Sequence, residues 1–142
     1  PVVALREIAE KKLDLENVLT FKTKLISIKE VKKGEKVGYD GKWKAKKDTV
    51  IGILPVGYAD GYPSSAENKG FVLVDGKKVN VVGKVSMDLT AIDLKNRKNV
   101  SYDSEIILWG KDLPIEKVAK ITKNIPYNLM TSLSSRVKRI YL

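Results

Sequence analysis

The chain has 142 residues, 43% of them hydrophobic, and its 27 Lys and Arg residues against 17 Asp and Glu residues give a formal net charge of +10. It contains neither Cys nor His, which excludes thiol nucleophiles, disulfides, Ser-His-Asp triads and the common zinc sites. Because no hydrophobic run approaches the roughly 18 residues of a membrane-spanning helix, we expect no membrane partner.

The first half of the chain is predicted to contain one helix followed by strands. Hydrophobic spacing predicts a short helix over Ala4–Leu13. Apolar and polar residues then alternate through Val18–Val31, a segment rich in branched side chains, which predicts one long strand. The apolar run Thr49–Val56 is short and contains Pro55 near its end, so we expect a buried strand there.

The second half begins with a hairpin signal. Two β-rich runs within Phe71–Val85 flank Asp75-Gly76, a pair that suits the positive φ angles of a tight hairpin turn. Leu89–Leu94 and Glu105–Gly110 are each predicted to form a further strand. Many short strands at close spacing predict a mostly β fold, either a barrel or a strongly bent sheet.

The hydrophobic period changes near the C-terminus. In Pro114–Asn124 the apolar residues follow helical spacing, with proline at the start. Tyr127–Leu133 is predicted to form a second short helix, and Arg136–Leu142 a last strand. We therefore expect one or two short helices near the end of a β-barrel-like domain.

The positive charge raises the question of nucleic-acid binding. Only four of the basic residues are Arg, the side chain best suited to forked contacts with phosphates and base edges. The Lys residues are scattered, with Lys42–Lys47 the one local cluster, so a solvated surface explains them better and we expect no nucleic-acid partner. The alternative from another functional class is a basic β-barrel that binds RNA or DNA, with Trp43 and Tyr39 as candidate stacking residues.

Two similar motifs, VGYDG at Val37–Gly41 and VGYADG at Val56–Gly61, each place a tyrosine after a glycine. Further motifs follow in order: NKG before the hairpin, VxGxVSMD after it and RVxRIY near the end. From about Leu19 onward, this set resembles the C-terminal β domain of bacterial alanine racemases. The resemblance implies that residues 1–17 are the end of an N-terminal barrel domain and its linker, and that residues 18–142 are the β domain.

The resemblance also implies a function. The full-length enzyme would be a cytoplasmic homodimer that uses pyridoxal 5'-phosphate (PLP) to interconvert L-alanine and D-alanine for peptidoglycan synthesis. The cofactor lysine would lie on the barrel domain, outside this chain, so the isolated β domain should be inactive. A related racemase that acts on serine or a basic amino acid shares these motifs and is the alternative within the same class.

Site residues follow from the matching motif positions. Tyr39 corresponds to the family's second catalytic base, which acts in the active site of the partner subunit and faces the proton of the L-isomer. Tyr58 corresponds to a residue of the substrate access route. Met87 matches a residue that contacts substrate through its backbone, and Asp88 follows it. Because a phenol has a pKa of about 10 and is a poor base at neutral pH, we expect a neighbouring cation to favour its charged form.

Further positions belong to the access route and the cofactor vicinity in the family. Tyr127 matches a tyrosine near the cofactor phosphate, and Ile125 lies two residues before it. Lys84 replaces a common arginine, which keeps the charge but loses the bidentate geometry. Asp40 stands where the family usually has glycine directly after the catalytic tyrosine, and Ser64 where some members have arginine.

Overall fold

A computed structural model of the chain describes residues 17–95, 97 and 99–141. The helix predicted over Ala4–Leu13 lies outside the described residues. The described part is mostly β, with two helices near its end. The strands are β1 (Phe21–Thr23), β2 (Ser27–Val31), β3 (Lys36–Val37), β4 (Trp43–Lys44), β5 (Thr49–Leu54), β6 (Phe71–Val74), β7 (Lys77–Val82), β8 (Thr90–Asp93) and β9 (Ile106–Trp109), and the helices are α1 (Ile115–Thr122) and α2 (Pro126–Thr131).

Seven strands form one antiparallel sheet in the order β1-β9-β6-β7-β8-β5-β2. The strands at its two edges, β1 and β2, are consecutive in the chain and are joined by Lys24–Ile26 alone. A link of three residues spans only about 10 Å, so it draws the two edges toward each other and curls the sheet. The curled sheet with two short helices confirms the predicted β-barrel-like fold. None of the helices in the described ranges has the length and apolar character that crossing a membrane requires.

The single long strand predicted over Val18–Val31 is divided in the structure. Leu25 lies between β1 and β2 and is only 4% exposed. A Cβ on Gly52 of β5 would lie 2.5 Å from a Leu25 methyl carbon, so glycine makes room for this side chain. The chain turns inward here to bury leucine, and this tertiary contact overrides the local alternation of residues.

The hairpin prediction is confirmed. Strands β6 and β7 pair in register about Asp75 and Gly76, whose φ angles are 47° and 75°. Both angles are positive, as expected for the tight turn that this residue pair favours. β7 then continues past β6 to pair with β8, and so connects the two parts of the sheet.

Both predicted helices are present, and the predicted last strand is absent. Helix α1 buries Ile115, Val118 and Ala119, which lie on one face at helical spacing. Residues 136–141 form no strand. The Arg139 guanidinium donates hydrogen bonds to the backbone carbonyls of residues 133, 134 and 137, at 3.1–3.4 Å. These carbonyls therefore have partners within their own segment instead of on a neighbouring strand.

The main core lies between the curled sheet and the helices. Phe21 and Trp109 are buried with ring centroids 4.7 Å apart, and the buried Tyr62 ring lies nearly parallel to the indole with a centroid distance of 6.4 Å. Trp43 instead is half-buried against a small separate cluster that includes Ile51. Neither Phe21 nor Trp109 is available to a ligand, since both are covered by the core.

Candidate active site

The turn that carries Tyr39 projects from a two-stranded ribbon of β3 and β4. The turn begins at Gly38, which has a φ of 84°. A Cβ built at this position would lie 3.4 Å from the Cα of Gly83. The turn therefore packs against the loop that follows β7, and positive φ angles of 84° at Gly38 and 69° at Gly83 favour glycine at both positions. The Tyr39 side chain extends outward and is 74% exposed.

A charged pair lies beside the Tyr39 ring. The Lys84 ammonium is 2.5 Å from an Asp40 carboxylate oxygen and 5.8 Å from the centroid of the Tyr39 ring. The hydrogen bond to Asp40 is the main cause that raises the pKa of Lys84 above its ordinary value. The cation over the tyrosine is therefore Lys84, which the sequence places 45 positions away, whereas the neighbouring Lys42 pairs with Glu67 at 3.5 Å.

The turn of Tyr58 crosses the same loop at its other end. A Cβ on Gly57 would lie 2.2 Å from the Ser86 carbonyl oxygen, so the two backbones touch. The Tyr58 N–H donates to the Ser86 carbonyl at 3.1 Å, and the Ala59 N–H donates to the Met87 carbonyl at 3.0 Å. These two hydrogen bonds join the Tyr58 turn to the loop that carries Met87.

The SMD segment is itself a closed turn. The Ser86 hydroxyl accepts a hydrogen bond from the Leu89 N–H at 2.9 Å, and the Ser86 N–H donates to the Leu89 carbonyl at 2.9 Å. The Met87 side chain is 48% exposed. Its N–H forms no hydrogen bond with any of the described residues. The loop therefore presents a backbone donor at Met87, the position predicted to contact substrate through its backbone.

Arg136 joins the turn of Tyr58 to the SMD loop, a role that the sequence analysis missed. Its Nε atom lies 3.5 Å from Asp60, and one terminal nitrogen lies 2.6 Å from Asp88. The other oxygen of Asp60 accepts the Gly57 N–H at 2.9 Å. The hydrogen bond with Asp88, followed by the charge of Asp60, raises the pKa of Arg136. The position of Arg136 in the RVxRIY motif was the available signal, but the motif does not reveal the two carboxylates it contacts.

Helix α2 borders the site on the side of Tyr58. Ser132, just after the helix, donates its hydroxyl hydrogen bond to the Gly61 carbonyl at 3.1 Å. Ile125 and Tyr127, at the start of the helix, are 55% and 63% exposed. An open groove of about 260 Å³ lies between the Tyr58 turn and the helix, with Asn128 among its lining residues. This volume is below the roughly 300–1,000 Å³ typical of small-molecule pockets.

The loop 83–89 is the common support of the predicted site residues. It contacts the Tyr39 turn through Gly83 and Lys84, the Tyr58 turn through Ser86 and Met87, and Arg136 through Asp88. The hydroxyl groups of Tyr39, Tyr58 and Tyr127, three of the exposed tyrosines, have no hydrogen-bond partner among the described residues. The result is an open surface with free phenols. Five of the side chains predicted from the sequence lie on this loop or on the turns packed against it: Tyr39, Tyr58, Lys84, Met87 and Asp88. The other two, Ile125 and Tyr127, lie at the start of helix α2.

Comparisons with known proteins identify the family of the chain. The family model "Alanine racemase, C-terminal domain" matches residues 18–141. Curated alanine racemases from Vibrio parahaemolyticus and Aeromonas hydrophila are each 46% identical over 129 residues, which is 91% of this chain and 36% of each relative. The chain thus spans about a third of the length of these relatives.

Solved structures give the same result. The biosynthetic alanine racemase from Pseudomonas aeruginosa superposes with a TM-score of 0.83 at 37% identity. The alanine racemase from Bartonella henselae, solved with covalently bound pyridoxal phosphate, has a TM-score of 0.83 at 31% identity. Each match covers 87% of this chain and 34% of the solved chain.

Proposed function

Because the chain belongs to the alanine racemase C-terminal domain family, we propose that it is the β domain of a PLP-dependent alanine racemase and that Tyr39 is one of its two catalytic bases. In this proposal residues 1–17 are the end of a barrel domain with its linker, and residues 18–142 are the β domain. The full-length enzyme is a cytoplasmic homodimer and supplies D-alanine for peptidoglycan.

The observation that carries the proposal is the exposure of Tyr39. A structural tyrosine usually buries its ring and gives its hydroxyl a partner, but this ring is 74% exposed on a turn that backbone contacts hold in place. A fixed, projecting phenol is suited to enter a site completed by another surface. We assign that surface to the barrel domain of the partner subunit, since the groove beside Tyr58 is open and Tyr39 is not among its lining residues.

The residues of the chain have separate roles in this scheme. PLP, when bound, supplies the electron sink that makes the α-hydrogen of alanine acidic. The Tyr39 oxygen accepts or returns that proton on one face of the α-carbon, and the Lys84 ammonium lies 5.8 Å from the centroid of the Tyr39 ring. The free N–H of Met87 orients the substrate. Asp88, directly after Met87, belongs to the same substrate-binding loop, and Tyr58 and Ile125 border the access route.

The cofactor contact of this domain is limited in the proposal. Tyr127 is 63% exposed and its hydroxyl is free of partners among the described residues, so it can donate a hydrogen bond to a phosphate that approaches helix α2. The remaining PLP contacts are assigned to the barrel domain.

The test uses the full-length protein with Tyr39→Phe. We follow loss of the α-hydrogen from L-alanine and from D-alanine separately in deuterated water. The expected result is loss of exchange from L-alanine by a factor of about 10² or more, with exchange from D-alanine retained. Tyr102→Phe is the matched control, because Tyr102 is also exposed, at 55%, and carries none of the predicted site functions. Retention of both exchange reactions in Tyr39→Phe would contradict the assignment and make Tyr58 the next candidate.

A further inference from the structure

Arg136 occupies a position between two loops that carry site residues. One carboxylate it contacts, Asp60, closes the turn of Tyr58 by accepting the Gly57 N–H. The other, Asp88, lies directly after Met87. Arg136 itself comes from a third segment, beyond helix α2. One guanidinium therefore connects three parts of the chain that are far apart in sequence.

The two loops touch through few other interactions. Two backbone hydrogen bonds, from the N–H groups of Tyr58 and Ala59, join them. The steric fit at Gly57 allows the contact but adds no attraction beyond it. A planar guanidinium with a fixed fork is well suited to hold two carboxylates at a set separation. We propose that Arg136 is a positioning residue, which holds Met87 at a fixed distance from Tyr58 and so sets the binding of substrate.

This role differs from a contribution to overall stability. The Arg136 and Asp88 side chains are 51% and 54% exposed, and exposed ion pairs contribute little to folding. Asp60 is only 13% exposed, but without Arg136 its carboxylate would still accept the Gly57 N–H. A change at Arg136 should therefore alter the geometry of the two loops more than it alters the unfolding transition. The part of the proposal that concerns substrate rests on the proposed function, while the part that concerns the loops does not.

The first measurement is hydrogen exchange of the full-length protein. In Arg136→Gln the amides of Tyr58 and Ala59 should exchange at least about tenfold faster, because their acceptors are the carbonyls of the SMD loop. The amides of the β6–β7 hairpin should be unchanged. Lys22→Gln is the matched control. Lys22 lies on β1 and its ammonium is 3.0 Å from Glu105, in an ion pair about as exposed as that of Arg136 with Asp88. Unchanged exchange at Tyr58 and Ala59 would overturn the proposal, whatever the activity of the enzyme.

The second measurement is racemisation kinetics. Arg136→Gln should raise KM for alanine by about tenfold with a smaller change in kcat, since misplaced binding groups weaken substrate binding and orientation. Arg136→Lys keeps the charge but can hold only one carboxylate closely. Its KM should therefore lie between those of the wild type and Arg136→Gln. With Asp88→Asn already present, Arg136→Gln should add little, because the two act as a unit.

The outcomes separate the two hypotheses. Faster amide exchange with a raised KM supports both. If the wild-type protein does not racemise alanine, faster amide exchange in Arg136→Gln still supports the loop connection, while the proposed function is contradicted. Faster exchange with an unchanged KM limits Arg136 to a structural role and overturns the positioning proposal.

Discussion

At Gly57 two backbones cross so closely that any side chain would collide. Its φ of −147° is open to all residues, so the requirement for glycine is steric. A Cβ would lie 2.2 Å from the Ser86 carbonyl oxygen and 2.4 Å from that of Met87. We predict that Gly57→Ala lowers the free energy of unfolding by about 1–3 kcal/mol through overpacking, measured by chemical denaturation. A loss below about 0.5 kcal/mol would show that the SMD loop shifts freely.

Lys84 gives a prediction about pH. Its pKa is raised, chiefly by the hydrogen bond to Asp40, so the folded state binds this proton more tightly than the unfolded state does. The ion pair therefore stabilises the folded protein at neutral pH and loses its effect as the pH rises through the raised pKa, above the ordinary lysine value of 10.5.

We predict that wild type and Lys84→Gln differ in unfolding midpoint at pH 7 and converge toward the alkaline limit. Unfolding midpoints of both proteins, measured from pH 7 to the alkaline limit, test this prediction. The control is the same substitution in an Asp40→Asn background, where the difference should already be absent at pH 7. A difference that persists in this background would mean that Lys84 acts through a partner other than Asp40.

The site residues differ in how far the sequence alone could predict them. The positions of Tyr39, Met87 and Tyr58 followed from motifs, since each motif is a local pattern. The ion pair of Lys84 with Asp40 and that of Arg136 with Asp88 join residues 44 and 48 positions apart. Neither partner could be chosen from the many acids and lysines without the fold, and this is why the sequence left the cation beside Tyr39 unidentified.

Among the elements, the β6–β7 hairpin offers the clearest test of backbone strain. Gly76 has a φ of 75°, and a Cβ there would meet nothing within 4 Å. Gly76→Ala therefore introduces strain without a clash, and we predict a loss of about 1 kcal/mol in the free energy of unfolding. Gly76→Asn is the control and should cost less, because asparagine tolerates positive φ. Equal costs for both variants would contradict strain at positive φ as the cause.

The elements predicted correctly are those with strong local signals. The hairpin has its turn pair, and helix α1 has an apolar face with the right period. The elements missed depend on distant contacts: the break at Leu25 needs the space beside Gly52, and the ribbon of β3 and β4 has only two residues per strand, too few for a pattern. The tail after Ser134 alternates like a strand, but Arg139 bonds its own segment's carbonyls.

At the scale of the whole molecule, the distribution of lysines decides what the domain can do alone. A lysine that forms a Schiff base with PLP needs a neutral amine, which proteins obtain by desolvation or by a nearby cation. Among the described residues every lysine is exposed except Lys84, which is half-buried. The pKa of Lys84 is raised by Asp40, which is the opposite of what that chemistry requires.

We therefore predict that this chain alone, titrated with PLP, gives no stoichiometric aldimine absorbance, only weak adducts spread over surface lysines. Absorbance spectroscopy, followed by borohydride reduction and peptide mapping, measures both the amount and the location. Lys84→Gln is the control and should leave the spectrum unchanged. One saturable adduct at a single lysine would contradict the two-domain proposal, because the domain would then hold its own cofactor. Scattered adducts are expected if the cofactor lysine belongs to a barrel domain and this domain contributes the opposing tyrosine.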